Sequence, residues 1–184
     1  MSIQESERDN NVVSFDCGAK PKVCAELGII SYPAIRLYRP NGIVDRYRGP
    51  RKAKQIVAYL RRMLRPSITL VTTKNITSFL SVDDVVLVGH ITADDKNLRE
   101  RFDRIAQKYH DRYSFALSKD VDGQSGLACY NNVDDVQRSA AELGQVEALE
   151  QFVKLCATPL IPELTRRSEM HYLTVSVELR LSGP

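Results

Sequence analysis

Several chemical motifs are missing from this 184-residue sequence, and their absence narrows the possible functions. None of the four cysteines belongs to a C-x-x-C pair, which excludes that redox motif and a zinc ribbon. There is no Gly-rich phosphate loop. His90, His110 and His171 are far apart and lack ligand-like neighbours, so we expect surface or packing roles for them. The sequence therefore predicts neither a metal site nor a bound cofactor.

Segments that direct proteins into or across membranes are also missing. No run of about 18 apolar residues occurs, so we expect no transmembrane helix and no membrane partner. Residues 1–11 are polar, contain no hydrophobic core of a signal peptide and are predicted to be disordered. The C-terminal residues carry no retrieval tetrapeptide. A complete chain with these ends would be cytoplasmic.

Charge is distributed unevenly along the chain. Residues 1–66 contain 13 Lys or Arg and 6 Asp or Glu, whereas residues 67–184 contain 13 and 17. Arg61, Arg62 and Arg65 could form a nucleic-acid patch, but they also fall at the end of a predicted helix, where cations complement the helix dipole. No interleaved aromatic residues and no groove-reading motif accompany them. We therefore expect a solvated helix end and no nucleic-acid partner.

The first third of the chain has the pattern of a small hairpin with flanking helices. Strands are predicted at 12–15, 34–39 and 43–48, and helices at 21–27 and 52–64. Asn41-Gly42 is a strong hairpin signal. Pro21 and Gly28 have the polarity favoured at the two ends of a helix. The pattern restarts at Pro66–Ser67, which indicates a domain boundary there.

The remainder alternates strands and helices before a hairpin and a final helix. Strands are predicted at 68–72, 84–91, 113–117, 127–130 and 136–139. Helices are predicted at 74–80 and 145–156, and a third helix is predicted to begin after a cap at Asp94 or Asp95. The continuous apolar run Val85–Val88 is typical of a buried central strand. This βαβαβββα order predicts an α/β domain with a mixed β-sheet flanked by helices.

The cysteines fall into two groups. Cys17 and Cys24 enclose six residues, including a glycine and a proline, and this loop could be closed by a disulfide or could hold two reduced thiols. Cys129 lies in an apolar strand and Cys156 on the apolar stripe of a helix. We expect the latter two to be buried packing residues rather than nucleophiles.

One candidate modification site is present. Asn75-Ile76-Thr77 is an N-glycosylation sequon, which is usable only if the chain enters the secretory pathway. The alternative interpretation is a threonine-rich start of the helix that follows.

The order and spacing of three motifs resemble those of the protein disulfide isomerase family. They are Phe15-Asp16-Cys17 with Cys24, Gly28-Ile29-Ile30-Ser31-Tyr32-Pro33-Ala34, and Tyr47-Arg48-Gly49-Pro50-Arg51. They match the second half of that family's catalytic thioredoxin-like domain, in which Thr usually stands where this chain has Ala34. The resemblance implies an incomplete thioredoxin-like domain at 12–66, a complete non-catalytic one at 67–157, and a tail at 158–184 that starts a third.

The resemblance also implies roles for individual residues. Pro33 would be the family's cis-proline, which with Tyr32 borders the site where extended substrate pairs. Arg51 would be the arginine that tunes the pKa of the active-site cysteines. Cys17 and Cys24 would form a structural disulfide found in some members. The implied partners are unfolded or disulfide-containing client proteins, and the implied location is the lumen of the endoplasmic reticulum.

The family's catalytic C-G-H-C does not occur in this sequence. Disulfide exchange requires an attacking thiolate and a resolving cysteine nearby, and the spacing of Cys17 and Cys24 makes them poor candidates. We therefore expect a fragment or truncated member of the family, linked to oxidative protein folding but inactive as an isomerase on its own. The alternative is a non-catalytic client-binding or scaffold module with chaperone-like activity.

Overall fold

Two β-sheets organise the protein in the computed structural model, which describes residues 12–121, 123–141 and 146–160. The helices are α1 (Pro21–Glu26), α2 (Ala53–Met63), α3 (Ile76–Leu80), α4 (Lys96–Tyr109) and α5 (Val146–Ala157). The strands are β1 (Arg36–Tyr38), β2 (Val44–Arg46), β3 (Thr69–Val71), β4 (Val85–His90), β5 (Ser114–Ser118), β6 (Gly126–Asn131) and β7 (Val136–Ala140). The disorder predicted for residues 1–11, most of the predicted tail, and His171 lie outside the described residues.

The larger sheet contains five strands in the order β3-β5-β4-β6-β7. The β3–β5 and β4–β5 pairs are parallel, whereas β4–β6 and β6–β7 are antiparallel. The apolar run at the start of β4 is buried, as expected for a strand with neighbours on both sides. The predicted βαβαβββα order and the mixed sheet flanked by helices are confirmed.

Helices cover the two faces of this sheet unequally. One face packs against α4 and α5, whose buried apolar side chains form one cluster with Leu87, Phe115 and Leu127 of the sheet. Phe102 of α4 meets the Phe115 ring edge-on, with centroids 5.9 Å apart. The other face carries a smaller cluster around Phe79 of the short helix α3. The main core therefore lies between the sheet and the α4–α5 pair.

The smaller sheet is the β1–β2 hairpin, in which Arg36 pairs with Arg46 and Tyr38 with Val44. The predicted strand at 12–15 is wrong, because residues 12–16 adopt no regular structure. Among the described residues this sheet contains only β1 and β2, so no neighbouring strand offers its backbone groups to residues 12–15. Val13 is accordingly 66% exposed.

Cys129 and Cys156 are fully buried, as expected, but they also form a disulfide that we did not predict. The bond joins β6 to α5 across a sequence separation of 27 residues. The Asn131 amide reinforces it by donating a hydrogen bond to the Cys156 carbonyl at 3.2 Å. A disulfide that closes a loop of this length lowers the entropy of the unfolded chain, which stabilises the fold by about 3.5 kcal/mol.

A buried ion pair joins α2 to the five-stranded sheet. The Arg62 guanidinium donates to both carboxylate oxygens of Asp83, at 2.9 and 2.8 Å, and to the Asp111 carbonyl at 3.1 Å. The Ser114 hydroxyl donates to Asp83 at 2.9 Å and accepts from Arg65 at 3.1 Å. The expected solvated helix end is therefore wrong for Arg62, which is 8% exposed, because it contacts an acidic strand end that lies 21 residues away in sequence.

We expect Asp83→Ala to lower the free energy of unfolding by about 3–5 kcal/mol, because it leaves the Arg62 charge buried without a partner. The double variant Arg62→Met/Asp83→Leu should recover most of that loss, since it removes both charges together. Lys54→Ala is the control, because the Lys54–Asp84 pair is exposed and worth about 0–1 kcal/mol. Urea unfolding measures all four proteins, and equal losses for Asp83→Ala and Lys54→Ala would contradict this interpretation.

Candidate functional site

The loop after α1 is fixed by hydrogen bonds from β1 and from α1 itself. The Ile29 amide donates to the Cys24 carbonyl at 2.8 Å. Gly28 adopts a φ of +62°, a conformation that costs a glycine little. The Arg36 guanidinium donates to the carbonyls of Leu27 and Gly28, the latter at 2.7 Å. These bonds hold the start of the Gly28–Pro33 loop against the hairpin.

The end of this loop is open to solvent. The Tyr32–Pro33 peptide bond is cis. Ile30 is 90% exposed and Tyr32 is 65% exposed. Within the described part of the chain, the backbone N–H and C=O groups of Ile30, Ser31 and Tyr32 have no hydrogen-bond partner. The loop therefore presents apolar side chains and free backbone groups together.

Arg51 lies beside this loop. Its guanidinium donates a hydrogen bond of 2.7 Å to the Pro33 carbonyl. The turn before it is shaped by Tyr47, whose hydroxyl donates to the Pro50 carbonyl at 2.7 Å. A Cβ at Gly49 would lie 2.5 Å from that hydroxyl oxygen, so position 49 has no room for a side chain. The structure thus brings together Tyr32, Pro33 and Arg51, which the sequence singled out.

Cys17 and Cys24 are joined by a disulfide that closes the turn before α1. Cys24 is 1% exposed, and the turn is held by an Asp16 carboxylate that accepts the Gly18 amide hydrogen at 2.9 Å. The chain's four cysteines are all bonded in two disulfides, and none is free. A bonded cysteine carries no thiolate.

Asn75 lies at the start of α3, away from the cysteines in sequence. Its side-chain oxygen accepts the Thr72 amide hydrogen at 2.7 Å. The Asn75 side chain is exposed, and its amide nitrogen donates to no described group. This nitrogen is the atom to which an N-linked glycan would attach.

The titratable residues that the structure describes do not assemble a metal centre. The described residues include no group of three or more His, Cys, Asp or Glu placed to hold a metal ion. Burial lowers the pKa of His110, and His90 lies on a different element at the end of β4. Within the described ranges, no helix is long and apolar enough to cross a membrane.

Sequence reasoning did not single out Ile30, although it is the most exposed large apolar residue among those described. Its position between Gly28 and Pro33 predicted a loop but not the direction of its side chain. The one feature of the sequence that could have indicated an exposed Ile30 is its place in a segment without helical or strand periodicity.

Comparisons with known proteins place these features in a family. The thioredoxin family model matches residues 2–62. The protein disulfide-isomerase of Humicola insolens is 31% identical over 180 residues, covering 94% of this chain and 36% of that protein. The Aspergillus oryzae protein disulfide-isomerase is 28% identical over 182 residues, covering 94% of this chain and 35% of that protein. The chain thus spans about a third of the length of these relatives.

Solved structures with a similar arrangement were also found. Human ERp44 form II aligns with a TM-score of 0.44 and 22% identity, covering 90% of this chain and 48% of that one. The first two thioredoxin domains of Naumovozyma dairenensis Eps1p align with a TM-score of 0.46 and 13% identity, covering 87% of this chain and 83% of that one. The chain belongs to the protein disulfide isomerase family of thioredoxin-like proteins.

Proposed function

We propose that the chain is a client-binding part of a protein disulfide isomerase that performs no disulfide exchange of its own, and that it acts in the lumen of the endoplasmic reticulum. Residues 12–66 would be the C-terminal half of one thioredoxin-like domain, residues 67–157 a complete non-catalytic one, and residues 158–184 the start of a third. The observation that carries the proposal is that all four cysteines are paired in disulfides, while the loop that follows Cys24 is open and exposes apolar side chains.

The state of the four cysteines supports a chain without disulfide-exchange chemistry. An exchange enzyme needs a thiolate and a second cysteine that resolves the mixed disulfide. The sequence contains no C-x-x-C, and both Cys129 and Cys156 are fully buried. Cys24 is also buried, so an incoming client disulfide has little access to it. We assign Cys17–Cys24 a structural role.

Client binding is supported by the loop at Ile30–Pro33. Free backbone N–H and C=O groups can pair with an extended peptide, and neighbouring apolar side chains add affinity by burying surface on contact. Arg51 orders the loop by holding the Pro33 carbonyl. Unfolded proteins, which expose both backbone and apolar side chains, are the class of client that fits this arrangement.

A second candidate is that these residues belong to a longer, catalytically active isomerase. The curated relatives are named protein disulfide-isomerases and extend well beyond the matched region. Tyr32, Pro33 and Arg51 would then support a C-G-H-C dithiol supplied by other residues of that protein.

We expect the chain to leave the rate of insulin reduction by dithiothreitol unchanged, because Cys17 and Cys24 lack C-x-x-C spacing and the Cys24 sulfur is buried even if the reagent opens their disulfide. Turbidity of the insulin B chain measures the rate, and a C-x-x-C thioredoxin-like protein serves as the positive control. Acceleration that disappears in Cys17→Ala/Cys24→Ala would identify that pair as catalytic and would overturn this part of the proposal.

Binding to a reduced and alkylated unfolded protein should weaken about tenfold in Ile30→Ser, because an exposed isoleucine contributes roughly 1.5–3 kcal/mol when it is fully buried against a partner. Ile43→Ser is the matched control, since Ile43 is 53% exposed but lies on the hairpin turn. Fluorescence anisotropy of the labelled client measures the affinity. An equal loss in both variants would show that the loop is not the binding surface.

Asn75 should carry an N-linked glycan when the chain is produced in the secretory pathway, because its side-chain nitrogen is exposed and unbonded. The expected readout is a mass shift that endoglycosidase removes. Asn75→Gln and Thr77→Ala should abolish the shift, whereas Thr77→Ser should retain it. A wild-type chain that enters the pathway without gaining mass would refute the site.

A further inference from the structure

A second concavity, separate from the Ile30–Pro33 loop, lies between the two sheets. Its volume is about 870 Å³, within the range of about 300–1,000 Å³ that small-molecule sites occupy. One wall is formed by β2, the turn at 47–50 and one face of α2. The other wall is formed by the start of β4 and the segment 107–113 that joins α4 to β5. We call this concavity the inter-sheet cleft.

Tyr59 presents to this cleft a hydroxyl that no described residue bonds. The residue is 2% exposed, yet within the described part of the chain its hydroxyl makes no hydrogen bond. Its ring packs against Tyr47, with centroids 4.9 Å apart, which fixes its position. This hydroxyl is not one of the buried atoms without a partner, which in the cleft wall are Gln55 Oε1 and Arg62 Nε, so it reaches the open space of the cleft and can donate to a ligand atom there.

The Tyr59 hydroxyl is held in the form that donates a hydrogen bond. Burial raises its pKa to about 12, the carboxylates of Asp45 and Asp111 add to that effect, and the guanidinium groups of Arg39 and Arg62 oppose it. The hydroxyl therefore keeps its proton at neutral pH and favours a ligand atom that accepts. Carboxylate and phosphate oxygens are the strongest such acceptors.

Cations without strong partners surround the cleft. Arg48 lines it and makes no ion pair or hydrogen bond with any described residue. Among the described residues, Arg112 lies 3.9 Å from Asp111, at the limit of an ion pair, and its guanidinium is 5.9 Å from the centre of the Tyr109 ring. Within the same ranges Arg46 bonds only the Ser31 hydroxyl at 3.3 Å. By contrast, Asp45 is engaged by Arg39, and Asp83 by Arg62. The acidic groups are largely committed, whereas three guanidinium groups are available.

The charged side chains that line the inter-sheet cleft limit which kind of anion it can bind. The cleft is lined by six Lys or Arg side chains and four Asp side chains. The pKa of His110, which also lines it, is lowered by burial, so this imidazole adds no charge at neutral pH. A modest positive excess suits one or two carboxylates, whereas a polyphosphate would be repelled by the four aspartates. Planar guanidinium groups match the two oxygens of a carboxylate.

We propose that the inter-sheet cleft binds a carboxylate ligand, with the Tyr59 hydroxyl donating to one carboxylate oxygen and Arg48 pairing with its charge. The carboxylate could belong to a free dicarboxylate or to the acidic side chains of a short peptide. This site is distinct from the client loop of the proposed function and uses no cysteine.

Isothermal titration calorimetry at low ionic strength tests the proposal with three probes: succinate, a short poly-glutamate peptide and inorganic phosphate. We expect saturable binding of succinate or of the peptide. Binding of both identifies the carboxylate itself as the recognised group, and binding of the peptide alone identifies an acidic segment. No saturable binding of either, or binding of phosphate alone, would overturn the proposal.

Two variants locate the site. Tyr59→Phe should weaken binding about tenfold by removing one hydrogen bond to a charged acceptor, and it should leave the melting temperature unchanged because that hydroxyl is unbonded in the free protein. Arg48→Ala should weaken binding by a similar factor. Tyr38→Phe and Arg104→Ala are the matched controls, since both residues are exposed and neither lines the cleft. Equal affinity in all four variants would place any binding elsewhere and refute the assignment.

Discussion

The buried pair of Arg62 and Asp83 is the interaction on which the arrangement of the two sheets depends. Removing two charges from water costs several kcal/mol, which close contact offsets only when the remaining polar groups are also satisfied. Here Asp83 accepts from Arg62, from Ser114 and from the Asp84 amide at 2.9 Å. Arg62 in turn reaches the Asp111 carbonyl, and its buried Nε is left without a partner among the described residues. Such a network fixes one register of α2 on the larger sheet.

This constraint matters because the β1–β2 hairpin has little stability of its own. A sheet of two short strands is marginal in water unless another element packs against it. The hairpin contacts α2 through the rings of Tyr47 and Tyr59, and α2 is in turn held by Arg62. The loop at Ile30–Pro33 is attached to the hairpin by Arg36 and to the start of α2 by Arg51. The larger sheet therefore supports the proposed client loop indirectly.

Local patterns predicted the strands and helices of the larger domain, because the periodicity of apolar residues, helix caps and apolar runs each depend on residues that are close in sequence. The apolar run Val85–Val88 and the cap at Asp95, which accepts the Leu98 amide hydrogen at 3.0 Å, are examples. The strand expected at 12–15 failed because a strand needs a neighbour, which residue pattern alone does not supply. The Cys129–Cys156 bond and the burial of Arg62 were missed for the same reason, since their partners are 27 and 21 residues away.

Some features of the candidate site were likewise predictable from the sequence, and others were not. The motifs around Tyr32, Pro33 and Arg51 were visible in the sequence, and the structure brings Arg51 to the Pro33 carbonyl. The exposure of Ile30 and the unbonded hydroxyl of Tyr59 were not visible, because each depends on what the rest of the fold leaves uncovered. The type of a residue thus predicted which interactions it can make, whereas tertiary packing determined whether its side chain is exposed to a ligand.

We propose that the Ile30–Pro33 loop binds unfolded protein without thiol chemistry. Hydrogen–deuterium exchange of the chain, with and without an unfolded client that contains no cysteine, tests it most directly. The amides of residues 30–32 are unbonded, so they should exchange rapidly in the free chain and slow when the client pairs with them. Protection of these amides is the result we predict. Unchanged exchange there, or protection that appears only with cysteine-containing clients, would contradict the claim.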